Sequence, residues 1–401
     1  MSAKKMEEEN QSQMLPEEMI AEVFLRLPAK SVGRFRCVSN RWNYLLTQPQ
    51  FVKSHLNLTK QHPTTEESLI LVSHDSMNSY STQLNNAHHM FDKMTCFATK
   101  LTFDDHLFYP SYSLYGSCDG LILKVDYSNR KKLFLINPTT REFKELPSLP
   151  YALDPRICHT VYGLGYDSVK DDYRVVVISH YDTHNNEIEP GCNEMFVDVY
   201  SVGNGTWKRV DSSPYDHTIS DFEAGAFVNG SIHWLARRTV DDSYVIAAFD
   251  LREEKFRELP LPSLVDSDKH VVGDFDDEVE EDLVFDKLVS LGGYLCGYPE
   301  FLDNYQSINA WIMKKYGVRE FWTKIFVSDD PYLSFRPICL YKKKQMVLVM
   351  HEGNTDEKLA IYNSEDGTLK DIVVDGIPRG FSVGVSFMET LVSPHCSNEA
   401  V

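Results

Sequence analysis

The sequence predicts an α+β multidomain protein, with a small all-α module followed by a large all-β, propeller-like domain. Three observations predict it. Apolar residues recur at helical spacing only ahead of residue 60. From about Glu66 onward the apolar runs are short, rich in β-branched and aromatic residues, and bounded by Gly, Asn, Asp or Pro. Those runs also recur as one repeating unit. The expected layout is a disordered tail over 1–13, the helical module over 14–56, a linker over 57–65, the β domain over 66–393 and a tail over 394–401.

The helical module is read from its punctuation. Pro16 suits a helix start, and Glu17 and Glu18 sit where the helix dipole favours acids. Met19, Ile20, Val23, Phe24 and Leu27 then form an apolar stripe that Pro28 ends. Ser31 can cap a second helix carrying Val32, Phe35 and Val38. Ser39 can cap a third carrying Trp42, Leu45 and Leu46, which Pro49 stops. Phe51, Val52, His55 and Leu56 make a last turn. So small a module buries little surface alone, which hints that a partner completes its apolar face.

The repeating unit is a small-residue turn, two strands, a polar turn and an aromatic or apolar landmark. The landmarks are Phe143, Trp207, Phe256, Trp322 and Leu369, spaced roughly 45–65 residues apart, near the kelch and WD40 periods. A single unit leaves sheet faces and edges bare, so the units are expected to stack radially and close a ring. Phe381–Ser393 reads as strands that complete the ring with the first unit. An array of Ig-like sandwiches is the competing architecture.

Composition narrows the function. The 401 residues carry 40 Lys and Arg against 59 Asp and Glu, a formal charge of −19. Phosphate backbones repel such a surface, so nucleic acid is not an expected partner, whereas a basic protein is a suitable one. The eight cysteines contain no Cys-x-x-Cys pair, so no zinc module is expected and they read as reduced core thiols. There is no secretory leader pattern at the N-terminus and no apolar run of membrane-spanning length, so the expected location is cytoplasmic or nuclear. No nucleophile elbow, P-loop, dinucleotide fingerprint or metalloprotease motif occurs, and no cofactor is expected.

Residues 15–56, LPEEMIAEVFLRLPAKSVGRFRCVSNRWNYLLTQPQFVKSHL, resemble the F-box of the large plant F-box family. The segments SCDGLI, NPTTREFKELP, GLGYD…DDYRVV and AFVNGSIHWLA resemble the F-box-associated, kelch-type domain that follows it there. The resemblance implies a non-catalytic, substrate-recognising subunit of an SCF-type (Skp-cullin-F-box) ubiquitin ligase. Its partners would be a Skp-type adaptor, through it a cullin-RING scaffold, and a protein target marked for degradation. Carried over by position, the adaptor contacts are Leu15, Pro16, Ile20, Leu27, Pro28, Val38 and Trp42, although several of them, Trp42 among these, can instead serve only to hold the F-box helices together. Gly33 departs from the family, which usually has a larger apolar residue there, and Ala29 and Val32 are also smaller than usual. A stand-alone propeller, scaffold or enzyme, with a degenerate F-box is the alternative.

Two polar stretches are candidates for the target surface. His180, Asp182 and His184 stand in a run that reads as an insertion between strands, where propeller loops form binding faces. As a metal site this run is poorly supported, and a polar surface loop is the plainer reading. Asp276, Asp277, Glu280 and Glu281 lie in the acidic run DFDDEVEED, which lacks the central Gly of a calcium loop; a solvated loop is the plainer reading, and a contact for a basic target the sharper one.

Overall fold

The computed structural model describes residues 16–61, 67–76, 78–84, 88–90, 93–102, 112–126, 132–150, 158–181, 194–220, 224–263, 270–272, 279–281, 285–299, 308–328, 334–341, 345–352, 356–378 and 380–395. Four helices come first: α1 (Glu17–Leu25), α2 (Ala29–Arg36), α3 (Asn40–Thr47) and α4 (Pro49–Gln61). Strands follow, with only single 3₁₀ turns among them in the described residues.

The helix starts are set by proline and by one serine. Pro16 and Pro28 hold extended backbone at the N-caps of α1 and α2. Ser39 caps α3 as expected, its Oγ accepting from the Trp42 backbone N–H at 3.2 Å. Ser31 does not cap α2. The cap is three residues earlier, at Pro28, whose fixed φ suits the extended N-cap backbone. The segment read as a linker from 57 also differs, because α4 continues to Gln61. Leu56 and Val52 on α4 pack on the ring, and this tertiary burial carries the helix past the expected last turn.

The β domain is a ring of six four-stranded blades among the described residues. The second blade runs Tyr112–Cys118, Leu121–Asp126, Lys132–Asn137 and Glu142–Glu145. The third runs Cys158–Asp167, Asp172–Tyr181, Met195–Ser201 and Thr206–Ser213. The fourth is Ala224–Val228, Ser231–Arg238, Tyr244–Asp250 and Lys255–Leu259, and the fifth is Lys287–Leu291, Tyr294–Tyr298, Ile308–Met313 and Trp322–Ser328. The sixth is Phe335–Leu340, Gln345–Glu352, Asp356–Asn363 and Thr368–Asp375. The first blade joins both ends of the domain: Phe381–Met388 is its innermost strand, followed outward by Glu67–Ser73, Ser79–Gln83 and Lys93–Lys100. Each innermost strand lies against that of the next blade, and the sixth against the first.

Closure differs from the sequence expectation in one respect. Phe381–Met388 pairs antiparallel with Glu67–Ser73, not with the first repeat unit at 116–147. That unit already has an innermost strand of its own, Tyr112–Cys118, so its sheet has no vacancy. Arg336 reinforces the closure from the sixth blade, its guanidinium donating to the Val383 and Gly384 carbonyls at 2.5 and 3.3 Å.

An apolar core fills every gap between neighbouring blades. In Leu121–Asp126, Leu121, Leu123 and Val125 face the third blade while Ile122 faces the first. In Asp172–Tyr181, Val175 and Val177 face the second blade while Val176 and Ile178 face the fourth. Both faces of such strands are buried, so they read as continuous apolar runs instead of alternating ones. The outer-strand landmarks lock each blade to the one before it. Phe143, Trp207, Phe256 and Trp322 all pack into the core shared with the preceding blade. Trp207 and Trp322 also donate Nε1–H to the Pro147 and Pro260 carbonyls at 2.7 and 2.9 Å. Leu369 departs from this pattern and is 40% exposed. Its strand pairs in parallel with Lys93–Lys100 of the first blade, so backbone hydrogen bonds join those two blades along their outer edges.

Candidate functional site

The helical module has an inward side that is built and an outward side that is bare. Its core is Phe24, Ala29, Val32, Leu46 and Phe51, with a cluster of Phe24, Phe35 and Trp42 rings 5.1–5.6 Å apart. His55 Nε2 lies 2.9 Å from the Leu27 carbonyl, and burial holds its pKa below the usual histidine range. The neutral ring therefore donates to that carbonyl at the end of α1.

Cations on the inward side meet acids on the ring. Lys53 meets Asp171 at 2.6 Å, Lys60 meets Asp119 at 2.7 Å, Lys30 meets Glu389 at 2.5 Å, and Arg36 meets Glu142 at 3.6 Å. The Lys53 ammonium, helped by the Tyr166 hydroxyl, keeps the Asp171 carboxyl below its usual range. Of these only Lys53–Asp171 is exposed on both sides, and an exposed pair contributes little singly, about 0–1 kcal/mol. The value of the pairs is orientation, since four of them share one docking face with the buried Leu56 side chain.

All four acids lie on one face of the ring. Asp119 and Asp171 stand in the turns after the innermost strands of the second and third blades. Glu142 begins the outer strand of the second blade, and Glu389 follows the closing strand. The module therefore sits where the innermost strands end. The opposite face carries the other strand ends, including Cys158, Tyr181, Arg238, Tyr244 and Tyr298.

The exposed surface of the helices mixes charged residues with large apolar side chains. Met19 and Val23, four residues apart on α1, are 55% and 58% exposed. Val38, after α2, is 63% exposed, and Tyr44 on α3 is 72% exposed. Pro16 and Pro28 are exposed at the helix starts, while Ile20, Leu27 and Trp42 are half-buried. The structure thus places Val38 and the two prolines outward, and gives Ile20, Leu27 and Trp42 a share in the module's own core. Leu15 lies outside the described residues. Met19, Val23 and Tyr44 were not singled out from the sequence as contacts. Met19 and Val23 share the stripe's spacing with core residues, and only packing against the other F-box helices decides which side of α1 is covered.

The target-surface candidates divide. His180 is not on a loop. It ends the strand Asp172–Tyr181, is 2% exposed and stacks on His159 at 5.6 Å. The period of the strand turns its side chain into the packed interior, so it offers no binding face. Asp182, His184, Asp276 and Asp277 lie outside the described residues. Glu280 and Glu281 belong to the strand Val279–Glu281, paired with His270–Val272. This hairpin falls between Leu259 and Lys287, two strand ends on the ring face opposite the helices. Among the described residues no cluster of His, Cys, Asp and Glu has the arrangement to hold a metal ion, and no helix is long and apolar enough to cross a membrane. Cys96, Cys118, Cys296 and Cys339 are buried thiols as expected, whereas Cys37 is exposed beside Val38.

Known families match this architecture piece by piece. The F-box domain matches residues 13–54, and the F-box associated beta propeller domain matches residues 68–394. The chain belongs to the F-box proteins with an F-box associated beta propeller domain. The F-box protein CPR1 of Arabidopsis thaliana is 29% identical, over 92% of this chain and 86% of that protein. An F-box/kelch-repeat protein of Arabidopsis thaliana is 27% identical, over 95% of this chain and 96% of that one. Among solved structures, one of a putative 6-phosphogluconolactonase from Bacteroides uniformis has a TM-score of 0.41 at 12% identity, covering 80% of this chain and 99% of that one. So distant a likeness carries no functional argument. The F-box is α1 to α4, and the associated domain is the ring.

Proposed function

We propose that this F-box protein is the target-receiving subunit of an SCF-type ubiquitin ligase and performs no bond chemistry itself. The observation that carries the reading is the bare outward side of the F-box. Its inward side is satisfied by the ring, yet Met19, Val23, Val38 and Tyr44 stay in water. Large apolar side chains kept exposed on helices whose other contacts are with the ring suit a partner surface. The family membership makes a Skp-type adaptor the fitting partner. Pro16, Ile20, Leu27, Pro28 and Trp42 then lie under or beside the contact.

The ring would hold the target. The F-box occupies one of its faces, which leaves the opposite face for capture. Adaptor and target would sit on opposite sides of the chain, with the ion-paired interface fixing their relation. The chain's contribution to the reaction is then proximity, holding target lysines near a ubiquitin thioester carried by another subunit. The acidic segment between Leu259 and Lys287 departs from and returns to that face, which favours a basic target patch. The expected place of action is the cytoplasm or nucleus.

Purified full-length chain should bind a Skp-type adaptor directly. Changing Met19 and Val23 together to Asp should weaken that binding by roughly 100-fold, the scale of a lost apolar hot spot. Thermal stability should fall only slightly, because more than half of each side chain is already exposed. Wild-type chain that fails to bind adaptor by calorimetry would sink the reading.

A further inference from the structure

Residues 389–392 do not leave the ring when the closing strand ends at Met388. They run between ring and F-box as an extended strap whose side chains alternate between the two. Glu389 accepts from Ser68 Oγ at 2.9 Å on the ring and pairs with Lys30 of α2. Thr390 Oγ1 donates to the Asp119 carbonyl at 2.6 Å. Leu391 turns the other way, is 1% exposed, and packs in the F-box core with Phe24, Ala29, Val32, Leu46 and Phe51. Val392 returns to the ring core beside Leu56. Asn137 Nδ2 donates to the carbonyls of Thr390 and Val392 at 3.2 and 2.7 Å.

The ring is shaped to receive this strap. Gly120 has a φ of +84°, and a Cβ there would stand 2.4 Å from Thr390 Oγ1 and 2.6 Å from the Met388 carbonyl oxygen. A side chain at that position would expel the strap, so the close approach depends on glycine. On the other side, the F-box core is small, and one of its six buried members is Leu391, at least 340 residues further along the chain than the other five. The hydrophobic centre of the first module therefore includes a side chain from the last strand's extension.

We propose that Glu389–Val392 is a latch through which closure of the ring completes the F-box core, with Leu391 as the positioning residue. A chain whose ring has not closed cannot supply Leu391, so it presents a loosened adaptor-binding module. Adaptor docking is thereby limited to chains whose target-holding ring is finished. This last step rests on the adaptor reading above, whereas the structural coupling does not.

The experiment compares full-length wild type with Leu391→Ala, Leu391→Met and Gly120→Ala. Amide hydrogen exchange is followed in α1–α3 and in the ring strand Asp172–Tyr181, and affinity for a Skp-type adaptor is measured on the same preparations. Leu391→Ala should speed exchange in α1–α3 at least tenfold, leave Asp172–Tyr181 within twofold, and weaken adaptor binding at least tenfold. Leu391→Met should restore both to near wild type. Gly120→Ala should loosen α1–α3 from the ring side, without touching an F-box residue. Unchanged exchange in α1–α3, equal loosening of ring and F-box, or an unchanged adaptor affinity in Leu391→Ala would each overturn the latch. If the exchange pattern holds while wild type binds no adaptor, the latch stands and the adaptor reading fails instead.

Discussion

At Gly33, in the second turn of α2, an added Cβ would meet nothing within 4 Å. The sequence already marks this residue as a departure from the family pattern, but it cannot say whether the missing side chain is compensated. The structure shows the space open and the backbone helical. Alanine there fits without strain and removes the entropic cost of a helix-interior glycine. Gly33→Ala should therefore stabilise the F-box by about 1 kcal/mol. The urea midpoint of the helical transition would report it, and a lowered midpoint would show that the open space is needed. Residue-level reading was weakest where one pattern serves two ends. Met19 and Phe24 belong to the same apolar stripe, yet Met19 is in water and Phe24 is 5% exposed. His180 misled in the opposite direction. Its polar neighbours in sequence suggested a loop, while its place on a strand buries it.

The strands themselves were legible wherever local chemistry carries the signal. In the second, fourth and sixth blades the third strand ends at an Asx residue six positions before the outer-strand landmark: Asn137 and Phe143, Asp250 and Phe256, Asn363 and Leu369. The Asx side chain caps the turn between them, as when Asn137 Oδ1 accepts from the Thr139 N–H at 2.8 Å. The first blade was not legible as a blade. Its inner strand comes from one end of the domain and its other three from the other, so no continuous repeat exists to detect. Closure rests instead on contacts distant in sequence. Arg336, 24% exposed at its side chain, spans to the carbonyls of Val383 and Gly384 and approaches Glu357 at 3.9 Å. Charged-donor hydrogen bonds contribute roughly 1.5–3 kcal/mol each. Arg336→Met should therefore cost about 2–4 kcal/mol, after some gain from the apolar replacement. Denaturant unfolding followed by the fluorescence of the ring tryptophans would measure the cost. A loss under 1 kcal/mol would mean that strand pairing alone holds the ring shut.

Across the whole molecule the F-box and ring form one body, and its stability should depend on pH through histidines sealed between blades. His233 donates Nδ1–H to the Ala226 carbonyl at 2.8 Å, and its Nε2 lies 2.7 Å from the Tyr316 hydroxyl, across the boundary of the fourth and fifth blades. Burial, with the Arg257 charge adding to it, pushes its pKa down to about 4. His217 packs against Trp234 and Phe256 with Ser213 Oγ 2.8 Å from Nε2, and burial together with His180 brings it down to about 3. Both rings are neutral in the folded chain and take up a proton near pH 6.5 once unfolded. The unfolded state therefore binds more protons below that pH, and stability is fully present above pH 6.5 and lost as pH falls toward 4 and then 3. The slope is at most about 1.4 kcal/mol per pH unit for each ring, so the pair should remove roughly 4 kcal/mol between pH 7 and pH 5. Carboxylates titrate in the lower part of the same window, so the histidine share is isolated by difference. His233→Gln keeps a side-chain amide able to meet the same two partners and removes the titration. It should lower stability at pH 7 and flatten the descent between pH 6.5 and pH 5 by about 1 kcal/mol per unit. Parallel urea-midpoint curves for wild type and variant across that interval would show that His233 takes up its proton without unfolding the ring.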